Sequence, residues 1–304
     1  MRATAARDNE SSVADAVKGW RPVVKWAGGK KSLSQEIVAC MPSKIGTYAE
    51  PFCGGAAVFF ALASEPKRRF ERAVLADKNE ELVRLYRALQ RDVDKLVGRL
   101  GAYQDDHYAL TPEERRQHYY DVRERSTKRL GDVERGARLL FLNKTCFNGL
   151  WRVNARGKFN VPFGRYEKPR ILDEKRLREA HEALAGVAIV HDDFQAVTKD
   201  LVRGDFVYFD PPYVPLSKTA NFTAYAADRF DAADQQRLAD ELKRLADCGV
   251  RAMLSNACSP ETKSLYAAFR NRKVPMKRAI NSDAAKRGAV DELLVMNYAL
   301  SALP

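Results

Sequence analysis

The sequence predicts an α/β fold with a mostly parallel sheet. Short apolar runs recur along the chain and are separated by stretches with helical spacing. The runs lie at residues 47–52, 73–76, 187–190, 206–209, 252–254 and 293–296. This alternation is typical of a parallel sheet with helices packed on its faces. Because ligands bind at the carboxyl ends of the strands in such sheets, the residues that follow each strand are the first candidates for function.

The first predicted unit is a strand, a Gly turn and a helix. The strand at 47–52 is followed by Cys53-Gly54-Gly55 and then by an apolar helical run at 56–63. A second strand, at 73–76, ends on Asp77. Helical spacing continues over 80–100, and another helix is predicted at 233–248.

The middle of the chain, residues 91–170, does not continue this alternation. A polar, helix-like stretch is followed by a Gly- and Asn-rich region at 143–164. Between 138 and 170 there are eight basic residues and a single acid. Aromatic side chains lie among them: Phe147, Trp151, Phe159, Phe163 and Tyr166. This mixture favours a nucleic-acid surface over an ordinary solvated face.

The composition narrows the class of protein. The chain of 304 residues has 52 Lys and Arg against 40 Asp and Glu, and its net charge of +12 points toward a polyanionic partner. Five scattered cysteines and four unclustered histidines disfavour disulfides and a metal site, and they indicate a reducing, cytoplasmic setting. There is no apolar run of the roughly 20 residues that span a bilayer. The first residues also lack the apolar core of a secretory signal, so no membrane association is expected.

The most informative motif is Asp210-Pro211-Pro212-Tyr213, directly after the apolar run at 206–209. The prolines fix φ and restrict the preceding residue, so the segment forms a rigid corner at the end of a strand. A carboxylate and a backbone carbonyl at such a corner can accept both hydrogens of an NH2 group and orient its lone pair. Tyr213 adds a ring on which a base can stack. The alternative is a plain Pro-Pro loop with a capping Asp.

A second set of residues indicates a nucleoside-like cofactor. The turn from Phe52 to Gly55 lets the backbone approach a ligand closely. Asp77 lies 22 residues after Gly55, and an acid at that offset binds a ribose diol in dinucleotide folds. The pair fits both NAD and S-adenosylmethionine, although the missing G-x-G-x-x-G spacing disfavours NAD.

Four motifs follow one another along the chain: Lys25-Trp26-Ala27-Gly28-Gly29-Lys30, Glu50-Pro51-Phe52-Cys53-Gly54-Gly55, Asp77-Lys78-Asn79 and Asp210-Pro211-Pro212-Tyr213. Their order resembles that of Dam-type DNA adenine-N6 methyltransferases. Residues 143–170 are similar to the DNA-reading segment of that family and 291–294 to its closing strand, so the resemblance runs from about residue 23 to 298. It implies an enzyme that flips an adenine out of double-stranded DNA, at a GATC-like site, and methylates its exocyclic amine from S-adenosylmethionine.

The resemblance also implies a domain organisation. We expect a Rossmann-like S-adenosylmethionine-dependent methyltransferase fold with an inserted, mostly helical DNA-recognition domain. Residues 20–90 and 171–304 would form the catalytic domain, 91–170 the inserted target-recognition domain, and 1–19 a disordered leader. Double-stranded DNA is the expected partner of a monomer that is cytoplasmic and, when bound to DNA, associated with the nucleoid. No metal is expected.

The cofactor site implied by the resemblance consists of Trp26, Lys30, Phe52, Gly54, Asp77, Asp193, Phe194 and Asp210. Asp77 would hold the ribose, and Asp193-Phe194 would read the adenine of the cofactor. A helix N-cap is the alternative for Asp193. The alternative for Trp26 is a role in core packing, and the alternative for Lys30 is a surface charge. The catalytic residues would be Asp210, Pro211, Pro212 and Tyr213.

The DNA contacts implied by the resemblance are Lys144, Phe147, Asn148, Leu150, Arg152, Asn160, Pro162 and Arg165. Arg152 is the candidate for guanine, because Arg to guanine is the commonest specific contact in the major groove. Leu150 and Pro162 suit a thymine methyl, and Phe147 suits a wedge in the base stack. Phosphate contacts are expected from Lys144, Arg156 or Lys158.

Three alternatives and one departure from the family accompany this interpretation. Relatives that act on an RNA base or a protein amide usually carry Asn before Pro-Pro and lack the basic segment. A non-catalytic DNA-binding scaffold would lose Asp210 or the Gly turn, and an NAD-dependent oxidoreductase is disfavoured by the glycine spacing. After Leu254-Ser255-Asn256 the family often continues with His-Asp-Thr, whereas this chain has Ala257-Cys258-Ser259. No role for a polar side chain is expected at Ala257 or Cys258.

Overall fold

The computed structural model describes residues 19–26, 28–30, 32–213, 230–277 and 289–300. The predicted leader, 1–19, therefore lies outside the described residues except for residue 19. Within the described ranges the chain forms one seven-stranded sheet in the order β3-β2-β1-β4-β5-β7-β6. Its strands are β1 Ile45–Glu50, β2 Phe70–Ala76, β3 Ala188–Val190, β4 Phe206–Phe209, β5 Arg251–Ala257, β6 Arg270–Lys277 and β7 Ala289–Met296.

The sheet is parallel except for one strand. β1 pairs in parallel with β2 and β4, β2 with β3, and β4 with β5. β7 lies antiparallel between β5 and β6. The order of the parallel strands is that of a Rossmann-like doubly wound sheet. The predicted α/β class with a mostly parallel sheet is confirmed.

Helices cover both faces of the sheet. They are α1 Ser34–Ala39, α2 Ala57–Ala63, α3 Glu80–Arg91, α4 Val93–Ala109, α5 Pro112–Glu124, α6 Asp132–Thr145, α7 Glu174–Ala183, α8 Phe194–Thr198, α9 Ala232–Asp247 and α10 Pro260–Leu265. One apolar core joins α1 to α7 with one face of the sheet, and a second joins α8 and α9 with the other. β4 is buried on both faces, which explains why residues 206–209 form a continuous apolar run.

The helices between α3 and α7 replace the regular alternation of strand and helix. α6 packs against both α3 and α4, and its side chains share the larger core with those of the sheet. The predicted helical stretch 80–100 consists of two helices, α3 and α4, that are separated at Asp92. The division into a catalytic domain and an inserted domain at 91–170 stays a prediction. No described helix has the length and apolar character required of a membrane span.

Candidate active site

Three acids meet at the carboxyl edge of the sheet. Glu50 is the last residue of β1, Asp77 follows β2, and Asp210 follows β4. All three line a cavity of about 1590 Å³. Other predicted site residues line it as well: Trp26, Lys30, Phe52, Gly54, Pro211, Pro212 and Tyr213. The topology therefore brings together segments that are up to 187 positions apart in the chain, from Trp26 to Tyr213.

Asp210 is anchored through one of its two oxygens. Oδ1 accepts hydrogen bonds from Lys30 Nζ at 2.6 Å and from Ser255 Oγ at 3.0 Å. Ser255 Oγ lies 2.9 Å from the hydroxyl of Tyr208, so the Ser255 contact is itself supported. Oδ2 has no hydrogen-bond partner among the described residues. The carboxylate of Asp210 is thus held in place, and its second oxygen is available to accept a hydrogen bond from a ligand.

The two prolines differ in what their carbonyls do. Pro212 O accepts a hydrogen bond from Gln235 Nε2 at 3.3 Å, whereas Pro211 O accepts none from the described residues. The carbonyl next to Asp210 is therefore the one available to a ligand. The ring of Tyr213 lies with its centroid 4.9 Å from Lys30 Nζ. This contact holds the ring beside the ammonium that anchors Asp210.

Lys30 is buried, with 2% of its side chain exposed. Its ammonium donates to Gly28 O at 3.0 Å and to Asp210, and it lies 3.3 Å from Glu292 Oε1. Burial alone would lower the pKa of Lys30, but Asp210 and Glu292 outweigh it, and the pKa is raised. Since an ammonium has three N–H donors, Lys30 is committed to acceptors within the protein.

Glu50 is held in an apolar setting and has no cation beside it among the described residues. Its Oε2 accepts hydrogen bonds from the hydroxyl of Tyr48 at 2.7 Å and from the amide of Phe59 at 3.1 Å. Burial is the main cause that raises the pKa of Glu50 to about 8, and the charge of Asp210 contributes to this rise, while the hydrogen bonds from Tyr48 and Phe59 oppose it. In the free protein near pH 7 the carboxyl is therefore mostly protonated.

The raised pKa of Glu50 predicts that Glu50→Gln stabilises the free protein. The unfolded chain releases the proton of Glu50 near pH 4.5 and the folded chain near pH 8, so the wild type loses free energy of unfolding as the pH rises between these values. The variant has no such loss. The free energy of unfolding of Glu50→Gln should therefore exceed that of the wild type by an amount that grows from pH 4.5 to 8. This difference should reach at least about 1.4 kcal/mol, the equivalent of one pKa unit. Urea unfolding at several pH values measures it. The control is Glu241→Gln, which breaks the ion pair with Arg244 and should lower the free energy of unfolding. If the stability difference between Glu50→Gln and the wild type did not change with pH over this range, the burial argument would be wrong.

The Gly turn after β1 is tied to Asp77. Asp77 Oδ2 accepts from the amide of Gly54 at 2.9 Å, and Oδ1 from the amide of Asn79 at 2.8 Å. Gly54 has φ +48°, and a Cβ there would lie 2.9 Å from Trp26 Cδ1, so only glycine fits between the turn and this ring. Ala56 also adopts the left-handed region, with φ +53°. Burial raises the pKa of Asp77, although the two amide donors oppose the shift.

Asp193 and Phe194 lie outside the cavity lining. Asp193 is the N-cap of α8: its Oδ1 accepts from the amide of Gln195 at 3.0 Å, and it forms ion pairs with Lys78 and Arg237. Phe194 is 2% exposed. Its ring centroid lies 5.5 Å from that of Phe52, which does line the cavity. Asp193 and Phe194 therefore reach the cavity only through other residues, such as Phe52.

Residues 151–160 form a short antiparallel hairpin, closed by the pairing of Val153 with Phe159. We call it the reading hairpin after the role that the sequence predicts for this segment. Arg152 is exposed, and its Nε donates to Asn160 Oδ1 at 2.8 Å. Both side chains line the same cavity as Asp210. At the base of the hairpin, Trp151 stacks on Trp26 with 5.7 Å between centroids. The cavity is thus bordered by the strand ends on one side and by the reading hairpin on the other.

The remaining predicted DNA contacts lie in other places. Phe147 is 50% exposed, and its amide donates to Pro162 O at 2.9 Å. The exposed Asn148 donates its amide to the hydroxyl of Tyr166 at 3.0 Å, and Leu150 packs partly buried against the core. Lys144 and Arg165 line a separate cleft of about 570 Å³. The structure therefore divides the predicted set among three places: the cavity with Arg152 and Asn160, an exposed ridge formed by Phe147, Asn148 and Pro162, and a second basic cleft with Lys144 and Arg165.

The loop between α5 and α6 was not singled out from the sequence. Thr127 lines the large cavity, and Arg125, Lys128 and Arg129 are exposed beside it. Lys128 and Arg129 have no acidic partner among the described residues, whereas nearby arginines such as Arg135 are paired with glutamates. The basic run at 123–129 was the available signal. In the part of the chain that the structure describes, no group of His, Cys, Asp and Glu is arranged to hold a metal ion.

Comparisons with known proteins show to which family the chain is similar. Residues 26–280 match a family model described as D12 class N6 adenine-specific DNA methyltransferase. Similar proteins include the type II methyltransferase M.MjaIII of Methanocaldococcus jannaschii, which is 42% identical over 91% of this chain and 99% of that protein. The type II methyltransferase M1.LlaDCHI of Lactococcus lactis is 38% identical over 91% and 95%. A DNA adenine methylase of Haemophilus influenzae is 35% identical over 91% and 93%.

Proposed function

Because the chain belongs to the D12 class of N6 adenine-specific DNA methyltransferases, we propose that Asp210 and the carbonyl of Pro211 hold the exocyclic amine of the target adenine. The reaction itself, methylation of adenine N6 in DNA, follows from the family. The observation that carries the proposal is the anchoring of Asp210 through Oδ1 alone. It leaves Oδ2 for one hydrogen of the amine and Pro211 O for the other. The lone pair of the nitrogen then faces the cavity, and no general base is required before transfer. After transfer the methylated nitrogen releases one proton, which Asp210 or solvent accepts.

S-adenosylmethionine is the proposed methyl donor. It would supply a methyl group made electrophilic by a sulfonium cation. The cavity fits a cation because Asp210, Asp77 and Glu50 line it, and Asp77 and Glu50 have no cationic partner among the described residues. A cation bound there would favour the carboxylate form of Glu50. Asp77 and the Gly54 turn would hold the ribose, with Trp26 and Phe52 as apolar walls. An anionic dinucleotide would place its phosphates against the same acids, which disfavours NAD.

The amine of a paired adenine lies inside the duplex, so the base must leave the stack to reach Asp210. Tyr213 lines the cavity next to Asp210 and offers a ring on which the flipped base can stack. Phe147, half exposed on the ridge beside Pro162, is the proposed wedge that fills the space left in the duplex. We therefore propose base flipping into this cavity.

The duplex is proposed to lie across the mouth of the cavity. Two exposed basic segments border it: the α5–α6 loop with Lys128 and Arg129, and the tip of the reading hairpin with Arg156 and Lys158. Cations without acidic partners can neutralise phosphates without losing an ion pair. Arg152, held by Asn160, is the proposed guanine reader within a GATC-like site.

Arg152→Ala should change the sequence specificity of the protein, whereas Lys128→Ala should change the salt dependence of DNA binding. A bidentate Arg–guanine contact contributes about 1–3 kcal/mol of discrimination at one base pair, so Arg152→Ala should relax specificity at a single position and leave the salt dependence almost unchanged. Lys128→Ala should weaken binding to all sequences alike and reduce the slope of log affinity against log salt by about one. The measurement is methylation and binding of duplexes varied one base at a time, at several salt concentrations. Equal loss on every substrate would show that Arg152 is a backbone contact or a structural residue and not a guanine reader.

Sequencing of N6-methyladenine in DNA from a host that expresses the chain tests the proposal as a whole. We expect modified adenine at one short sequence and none with Asp210→Ala. Because the similar proteins include type II methyltransferases, the setting we propose is restriction–modification, in which such a mark protects host DNA. Methylation scattered over unrelated sequences would contradict the proposed site specificity.

A further inference from the structure

One buried carboxylate beside Asp210 has no part in the transfer as described above. Glu292 lies on β7 with 1% of its side chain exposed, and its Oε1 is 3.3 Å from Lys30 Nζ. Neither carboxylate oxygen accepts a hydrogen bond from the described residues. The residue directly across the sheet, on β5, is Ala257, whose methyl group has no donor to offer. A buried acid without hydrogen bonds costs stability, and its position beside Asp210 makes Glu292 a candidate functional residue.

Glu292 and Asp210 share one ammonium. Lys30 Nζ donates hydrogen bonds to Asp210 Oδ1 at 2.6 Å and to Gly28 O, and it forms an ion pair with Glu292 Oε1 at 3.3 Å. Two carboxylates facing one cation leave a net negative charge at the end of β4. If Glu292 were neutral, the ammonium would act on Asp210 alone, and the carboxylate of Asp210 would be a weaker acceptor for the amine of adenine.

We propose that Glu292 is a positioning residue for methyl transfer, which acts through Lys30. As a second counter-ion it holds the ammonium between the two carboxylates and preserves the negative charge that Asp210 presents to the amine. The inference rests on the proposed role of Asp210. The charged or titratable groups that face Glu292 from the elements packed around it are Lys30, Asp210 and the phenol of Tyr208.

Glu292→Gln tests the proposal because it removes the charge and keeps the shape. We expect kcat to fall on the order of tenfold, since small displacements of an aligned group have effects of this size or larger. KM for DNA and the Kd for S-adenosylmethionine should stay within about twofold, because Glu292 touches neither. Glu241→Gln, an equally buried glutamate that pairs with Arg244 on α9, is the matched control and should keep its kcat.

A double-mutant cycle shows whether the effect passes through Lys30. In a Lys30→Met background, Glu292→Gln should change kcat by less than about twofold. A further tenfold loss in that background would overturn the proposal, as would wild-type kcat in the single variant. If Glu292→Gln fails to fold, Glu292→Asp takes its place: the shorter acid retreats from Lys30, and unchanged kcat would again overturn the proposal.

The pH profile separates a charge effect from a merely structural one. Burial raises the pKa of Glu292, and Asp210 adds to this rise, while Lys30 opposes it. As the pH falls through that pKa, the kcat of the wild type should approach that of Glu292→Gln, whose own profile lacks this step. Parallel profiles would count against Glu292 alone. A fully active Asp210→Ala would instead count against the role of Asp210 on which the inference rests.

Discussion

Asp210→Ala is expected to abolish methyl transfer while the protein stays folded. The variant loses the oxygen proposed to accept a hydrogen bond from the amine, and the loss of one such preorganised partner typically lowers the rate on the order of 100-fold or more. It should fold because Lys30 keeps Glu292 as a counter-ion at 3.3 Å and Gly28 O as an acceptor. Single-turnover methylation of duplex DNA measures the rate, and thermal unfolding checks the fold.

The control for this experiment is Asp240→Ala, which removes an exposed carboxylate on α9. Its turnover should match the wild type, so that any loss in Asp210→Ala reflects position and not charge alone. Asp210→Asn adds a second comparison because it keeps the shape and removes the charge. A folded Asp210→Ala protein with near wild-type turnover would falsify the catalytic assignment.

Asp77→Ala is expected to weaken the binding of S-adenosylmethionine by roughly 1.5–3 kcal/mol, the usual range for hydrogen bonds to a charged group, or about 10- to 150-fold in Kd. Two losses combine in it. The proposed ribose acceptor disappears, and the amides of Gly54 and Asn79 lose the carboxylate that holds them at 2.9 and 2.8 Å. Calorimetric titration with the cofactor measures the change.

Asp193→Ala provides the matching comparison, because it distinguishes the two interpretations of that residue. As an N-cap its loss should lower the free energy of unfolding by about 1 kcal/mol, with little change in cofactor affinity. As a reader of the cofactor's adenine it should weaken binding as Asp77→Ala does. If Asp77→Ala left the cofactor affinity unchanged, the proposed cofactor site at the ends of β1 and β2 would be wrong.

Six of the seven strands were predicted from the sequence, because each of them contains a short apolar run. The pattern is clearest in β4, which is apolar throughout because it is buried on both faces of the sheet. β6 was missed for the opposite reason. It is an edge strand with Arg270, Arg272, Lys273 and Pro275 in its eight residues, and charges and proline at an edge are what keep it from pairing with other chains. The break at Asp92 was missed because apolar spacing continues across it.

The site was predictable where chemistry requires a residue type in a rigid local setting. Asp210 follows from a strand end and two prolines, and Asp77 from its offset to a Gly turn. The roles of Glu50, Ser255 and Glu292 depend on which strands lie side by side, and no local pattern records that. Burial of Lys30 between two acids is a property of the same neighbourhood. The resemblance was needed to select Lys30 and Trp26, and the three-dimensional fold to show what they contact.

The stacked pair of Trp26 and Trp151 connects the wall of the cavity directly to the base of the reading hairpin. We therefore expect a ligand that shifts the Trp26 ring to shift the hairpin as well. Linkage makes such an effect reciprocal: the factor by which cofactor changes the affinity for DNA equals the factor by which DNA changes the affinity for cofactor. The difference between the binding free energies on opposite sides of this thermodynamic square is the coupling free energy between the two sites.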